Sequence, residues 1–196
     1  YTNDYASFGD VNIYIGADIK TDKILANSTG RYFKGIFDGG GHTITFTHTA
    51  EESFASLIGY VNGATIRNMG VKGEIVTTYS NTATLISMAK GTVTIDKVII
   101  ESSIQGTSST SYIGGLVSSV DSNAVMNVSN TGVNLTLTST STSLGSGACG
   151  IIASSSGTIS FTNVYVNYQA PNSSNGNAIT RNNNAVYKNV YYYKNV

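Results

Sequence analysis

This chain repeats itself, and that feature narrows the fold more than any other. The stretch Thr65-Ile66-Arg67-Asn68-Met69-Gly70-Val71 returns as Thr94–Ile100, Val128–Val133, Phe161–Val166 and Tyr187–Tyr192. Its first apolar positions are 66, 95, 128, 161 and 187, so the spacings are 29, 33, 33 and 26. A second landmark keeps step: Leu57-Ile58, Leu85-Ile86, Leu116-Val117, Ile151-Ile152 and Ala178-Ile179. Fainter copies surround Ile15 and Ile44. Between the landmarks lie short β-branched and aromatic runs at period two, cut by Gly, Asn and Ser-Thr clusters that leave no window for a stable helix. Short strands repeated at this period, with no helix between them, predict a parallel β-solenoid in which equivalent residues stack ~4.8 Å apart. About seven coils are expected, a rod roughly 34 Å long on that spacing.

Stacking the repeats makes ladders. Ile66, Ile95, Val128, Phe161 and Tyr187 form one inward ladder. Met69, Val98, Thr131, Val164 and Val190 form a second, and Val71, Ile100, Val133, Val166 and Tyr192 a third. The residues between them point outward. There Arg67 falls beside Asp96, and Lys72 beside Glu101. Two opposite-charge pairs emerge from an alignment built only on apolar residues, each modestly stabilising at ~0.2–1 kcal/mol. Asn68, Lys97, Asn130, Asn163 and Asn189 make a further ladder, suited to a bend because Asn tolerates left-handed φ and can bond its neighbours' amides. Lys97 breaks it.

Composition then excludes whole classes of function. Lys+Arg and Asp+Glu number 11 each in 196 residues, so no basic face is available for nucleic acid. Ser, Thr, Asn and Gly make 90 of the 196 residues, so hydroxyls and amides carry the polarity. With 13 Tyr and 6 Phe among many Val, Ile and Thr, the chain is expected to fold. Cys149 is alone, which rules out a disulfide framework or a cysteine metal site within one chain. No apolar run approaches the ~20 residues of a membrane-spanning helix. Tyr1 is expected to follow a processing site or boundary in an exported protein.

Catalysis by paired carboxylates needs two acids ~5–9.5 Å apart on one face. Asp96 and Glu101 each have a basic neighbour in the register, Asp121 is isolated, and Asp4, Asp10, Asp18 and Asp22 cluster near the first coil. No catalytic pair is expected. Asp38 and His42 could be an acid and a base, but turn chemistry accounts for them: Asp38 caps its own backbone and Gly39-Gly40-Gly41 supply positive φ. His48 is the one other histidine, so no histidine-rich metal site forms. No cofactor is expected; calcium is possible through Asp and backbone oxygens. The threonine runs at 43–49 and 136–142 lie along single strands, many coils apart, which disfavours an ice-binding face. Asn27-Ser28-Thr29 is one of several sequons expected by chance. The remaining feature is tyrosine. Tyr165 and Tyr191 share one outward ladder on neighbouring coils, and Tyr193 points outward two residues on. Flat exposed rings of this kind can stack on sugar faces.

Several motifs also resemble a known family. Ser56–Gly73 is similar to a GLUG-type repeat, as is the run from Gly114-Gly115-Leu116-Val117 to Gly132. Phe33–Ile44, with its Phe37-Asp38-Gly39-Gly40-Gly41-His42 core and Ala17-Asp18-Ile19 before it, resembles the FxGxFDGxGHTI turn that opens such arrays. The likeness covers about residues 13–192 and departs at Ser118-Ser119 and at the Ser-Thr insertion 138–143. It implies a right-handed parallel β-helix in large bacterial surface proteins, adhesins among them, without naming a ligand. The expectation is therefore a single all-β, single-stranded parallel β-helix domain over 1–196: an N-terminal cap at 1–12, coils at 13–192, and a C-terminal end that continues or docks. The expected function is non-enzymatic, a secreted or cell-surface adhesin or glycan-binding module with a glycan or cell-surface partner. Tyr165, Tyr191 and Tyr193 are the candidate ligand residues, and self-association through the C-terminal coil is possible. The alternatives are a polysaccharide lyase or hydrolase, or its accessory module, and a spacer or filament subunit.

Overall fold

The computed structural model describes residues 11–28, 30–50, 54–106, 112–139, 147–171 and 177–195. The described residues form strands and no helix. In chain order these are β1 (Ile13–Tyr14), β2 (Ile19–Thr21), β3 (Ile36–Asp38), β4 (Thr43–Thr49), β5 (Ile58–Asn62), β6 (Thr65–Val76), β7 (Thr82–Ala83) and β8 (Ile86–Lys90). There follow β9 (Thr92–Gly106), β10 (Ile113–Gly114), β11 (Val117–Val120), β12 (Val125–Ser139), β13 (Ile152–Ser155), β14 (Thr158–Gln169) and β15 (Val186–Asn195). The main sheet runs β1-β3-β6-β9-β12-β14-β15, with β2 joined to it through β4; β5-β8-β11-β13 makes a second sheet, and β7 pairs with β10. Neighbouring strands pair in parallel throughout. The protein is a parallel β-solenoid.

Its register is the one read from the repeats. Ile66 stacks on Ile95, Ile95 on Val128, Val128 on Phe161 and Phe161 on Tyr187. Val71, Ile100, Val133, Val166 and Tyr192 stack likewise. These ladders are buried except on the last rung, and Thr131 is accommodated among them because its Oγ1 donates to the Ser129 carbonyl at 2.7 Å. Two readings need correction. The solenoid makes about five turns, not about seven: β6, β9, β12, β14 and β15 are the long rungs. Ahead of them the sheet is carried by the short split pairs β1/β2 and β3/β4, and the Gly39–Gly41 turn separates the second pair. In the second landmark, Ile152 pairs with Thr180, not Ile179, so the last copy is offset by one residue and a buried threonine ends that ladder.

Each long rung turns a corner at one residue. Asn68, Lys97, Asn130, Asn163 and Asn189 all have φ between 49° and 54°. One left-handed residue shifts the in–out alternation by one, which is why the inward positions fall at 66 and then at 69 and 71. The Asn side chains bond along the stack: Asn163 Nδ2 donates to Asn130 Oδ1 at 3.0 Å, and Asn189 Nδ2 to Asn163 Oδ1 at 3.0 Å. Lys97 offers no acceptor, and Asn130 donates instead to Asp96 Oδ1 at 2.8 Å.

The fourth coil holds Cys149, fully buried and bridged in the ladder between Gly114 and Asn177. Burial pushes its thiol up to about 11. At the far end, Val186, Tyr187 and Tyr192 of β15 are 63%, 47% and 61% exposed, although Tyr187 and Tyr192 stand in inward ladders. Residues 1–10 of the expected N-terminal cap and residues 140–143 of the Ser-Thr insertion at 138–143 lie outside the described residues. Among the described residues no helix is long and apolar enough to cross a membrane.

Candidate functional site

The outward column just beyond the left-handed corner reads Thr43, Gly70, Ile99, Gly132, Tyr165 and Tyr191. The next outward column reads Thr45, Lys72, Glu101, Asn134, Asn167 and Tyr193. The structure therefore brings all three candidate tyrosines onto one face: Tyr165 beside Tyr191 on adjacent rungs, and Tyr193 one column over. They are 53%, 67% and 58% exposed. Asparagine amides border the patch on both sides. On one side runs the Asn130–Asn163–Asn189 ladder; on the other, Asn167 Nδ2 donates to Asn134 Oδ1 at 3.1 Å. Such pairing fixes the amide groups in place.

Two residues of this face escaped the reading of the sequence. Gly132 leaves a gap beneath Tyr165, and the Ile99 side chain leans over it: a Cβ on Gly132 would lie 3.1 Å from Ile99 Cδ1. The result is an apolar notch of about 480 Å³ lined by Ile99, Gly132, Tyr165, Tyr191 and the corner asparagines. Beyond Ile99 a second notch, of about 450 Å³, lies over Gly70 and is walled by Lys72, Lys97 and Glu101. Their signal was in the register, as small and large residues alternating along one outward ladder.

The charged candidates take structural positions. Asp38 Oδ1 accepts from the Gly40 N–H at 3.0 Å, as turn chemistry requires. Its Oδ2 accepts from Arg67 Nε at 2.8 Å, and Asn68 Nδ2 approaches Oδ1 at 3.2 Å. Arg67 is thus paired with Asp38 on the preceding rung rather than with Asp96, its neighbour on the following one. Lys72 and Glu101 do approach, at 3.6 Å. Asp38 and His42 are not partners, since His42 Nδ1 lies 3.4 Å from Asp18 Oδ1. Within the glycine run, Gly40 and Gly41 have positive φ, while Gly39 is needed for close approach: a Cβ there would sit 2.2 Å from Met69 Cβ. Among the described residues no three His, Cys, Asp or Glu side chains are grouped to hold a metal ion.

The Gly40 N–H, then Arg67 and Asn68, hold the Asp38 carboxyl below its ordinary range; Ser129 and then Asn130 do the same for Asp96. A carboxylate whose pKa is depressed on folding adds stability that is present above its unfolded value, near ~4, and lost as pH falls through the folded value. Asp38→Asn retains an acceptor for Gly40 but removes the charge. It is expected to flatten the fall in melting temperature between about pH 5 and pH 3; an acid limb as steep as the wild type's would show that Asp38 contributes nothing to it.

No protein-family model matches the chain, and no curated protein matches it. A search of solved structures finds a Bacteroides ovatus protein described as a "putative immunoglobulin A1 protease". It superposes with a TM-score of 0.62 over 96% of this chain and 70% of its own, at 17% identity. At that identity the likeness concerns the fold alone.

Proposed function

We propose that this solenoid is a non-enzymatic carbohydrate-binding module of a secreted or surface-displayed bacterial protein, acting in adhesion. One observation carries the reading: three exposed tyrosines on one face, with fixed asparagine amides beside Tyr165 and Tyr191. Aromatic rings supply apolar contact to a sugar face, and amides can donate to and accept from its hydroxyls. Two of the carboxylates support binding over hydrolysis. Asp38 and Asp96 are held in the ionised form, whereas a glycosidase needs one acid kept protonated.

The test incubates the purified chain with a panel of soluble and insoluble polysaccharides, measuring bound protein and released sugar in the same tubes. Binding without release is expected. Tyr165→Ala with Tyr191→Ala should weaken it by about fivefold to a hundredfold, since stacked aromatic contacts are worth about 0.5–1.5 kcal/mol each beyond area burial. Both side chains are exposed, so the variant should fold. Unchanged binding would sink the platform, and release of sugar would replace this reading with the enzymatic one.

A second reading, assembly, is favoured by the exposed core residues of β15. Unpaired edges of this kind recruit other strands. Sedimentation over rising concentration should show association; a monomer throughout would count against it.

A further inference from the structure

The two notches form one trough along the solenoid axis. It spans the six rungs from Thr43 to Tyr191, about 24 Å at the spacing of stacked strands. One of its ends is aromatic and the other is charged, and Lys97 stands out at the charged end. Every other long rung places Asn at this corner, where the left-handed backbone suits Asn and strains a long side chain. Lys97 also interrupts the amide ladder, diverting Asn130 onto Asp96. Lys72, Arg67 and Lys90 each have an acidic partner, but no carboxylate lies within ion-pair distance of Lys97 Nζ among the described residues. Its side chain is exposed and lines the notch over Gly70. Asp96, its neighbour in sequence, feels its charge, and Glu101 on the same notch is taken by Lys72, so Lys97 still offers its cation to the notch; a locally unfavourable residue in that place is better explained by a ligand than by the fold.

Building on the glycan reading above, we infer that the trough takes an acidic polysaccharide. A carboxylate or sulfate ester of one sugar sits in the Gly70 notch against Lys97, and the rings that follow lie over Ile99, Tyr165 and Tyr191. A charge-assisted bond of this kind is worth roughly a tenfold preference for the acidic polymer over its neutral counterpart, shrinking as salt rises.

The experiment measures binding of the whole chain to polygalacturonate, to its methyl ester, to dextran sulfate and to dextran, at low and high salt. Wild-type protein is expected to favour at least one acidic polymer about tenfold over its neutral partner; which one it favours identifies the anion. Lys97→Asn should erase that preference. Because it completes the asparagine ladder and relieves the corner, it should also raise the denaturation midpoint, so lost selectivity cannot be put down to unfolding. Equal affinity for acidic and neutral polymers, or a preference that survives Lys97→Asn, would overturn the inference. Neutral binding that survives Tyr165→Ala with Tyr191→Ala would bring down the platform itself, a separate result.

Discussion

Phe161→Ala is expected to strip about 3–5 kcal/mol from the C-terminal part of the molecule and leave the middle intact. Phe161 is 1% exposed, stands between Val128 and Tyr187, and stacks on the Tyr187 ring at 5.5 Å with an interplanar angle of 16°. In a stack where each coil touches only its neighbours, stability is close to a sum over interfaces. The loss therefore falls on the contacts of β14 with β12 and β15. Hydrogen exchange is the direct check. The amides of β15 should exchange a hundredfold or more faster than in the wild type, while those of β9 keep their protection. Equal acceleration in β9 and β15 would mean that the solenoid opens as a single cooperative unit.

The second large effect belongs to the opposite end. Gly39→Ala places a Cβ 2.2 Å from Met69 Cβ and 2.6 Å from the Asn68 carbonyl oxygen, both fixed to the backbone of β6. Relief requires the turn to move off β6, at the expense of the Gly39 N–H bond to Arg67 O (2.9 Å) and the Gly41 N–H bond to Asn68 O (2.8 Å). A loss of about 3 kcal/mol is expected, the upper end of ordinary overpacking. Two comparisons separate crowding from backbone conformation. Gly41→Ala meets no atom within 4 Å but has φ +83°, and should cost about 1 kcal/mol through strain alone. Gly16→Ala meets nothing and has no positive φ, so it should be near neutral. Urea denaturation of the three ranks them; Gly39→Ala no worse than Gly41→Ala would show that the turn yields easily. Phe161 and Gly39 are far apart with no shared partner, so their effects should add.

The register was legible because a solenoid writes the same structural position into the chain over and over. Five apolar positions at 66, 95, 128, 161 and 187 were enough to place the asparagine corner, the Lys72–Glu101 pair and the adjacency of Tyr165 and Tyr191. What could not be read has physical causes. Arg67 has an acid on each adjacent rung, and a repeat alignment does not say which way a flexible side chain turns; Asp38 gains it because the turn also fixes that carboxylate on Gly40. The first rungs looked like full coils because Ile44 stands in an inward ladder and Ile15 packs against the core, yet each is split into two short strands, the second by the glycine turn. The trough was hidden because a notch is made by missing side chains. Gly70 and Gly132 became informative only once Ile99 and Tyr165 were seen beside them.

Cys149 has a consequence of another kind. Its sulfur is sealed in the core, and its own rung is held against Asn177 of the coil that follows. Burial also suppresses the thiolate, so a thiol reagent finds nothing to attack in the closed molecule. When the last coil lifts, both protections lapse together. The fourth coil thus carries a built-in alarm for its neighbour, a single atom whose modification records how often the coil bearing β15 comes undone.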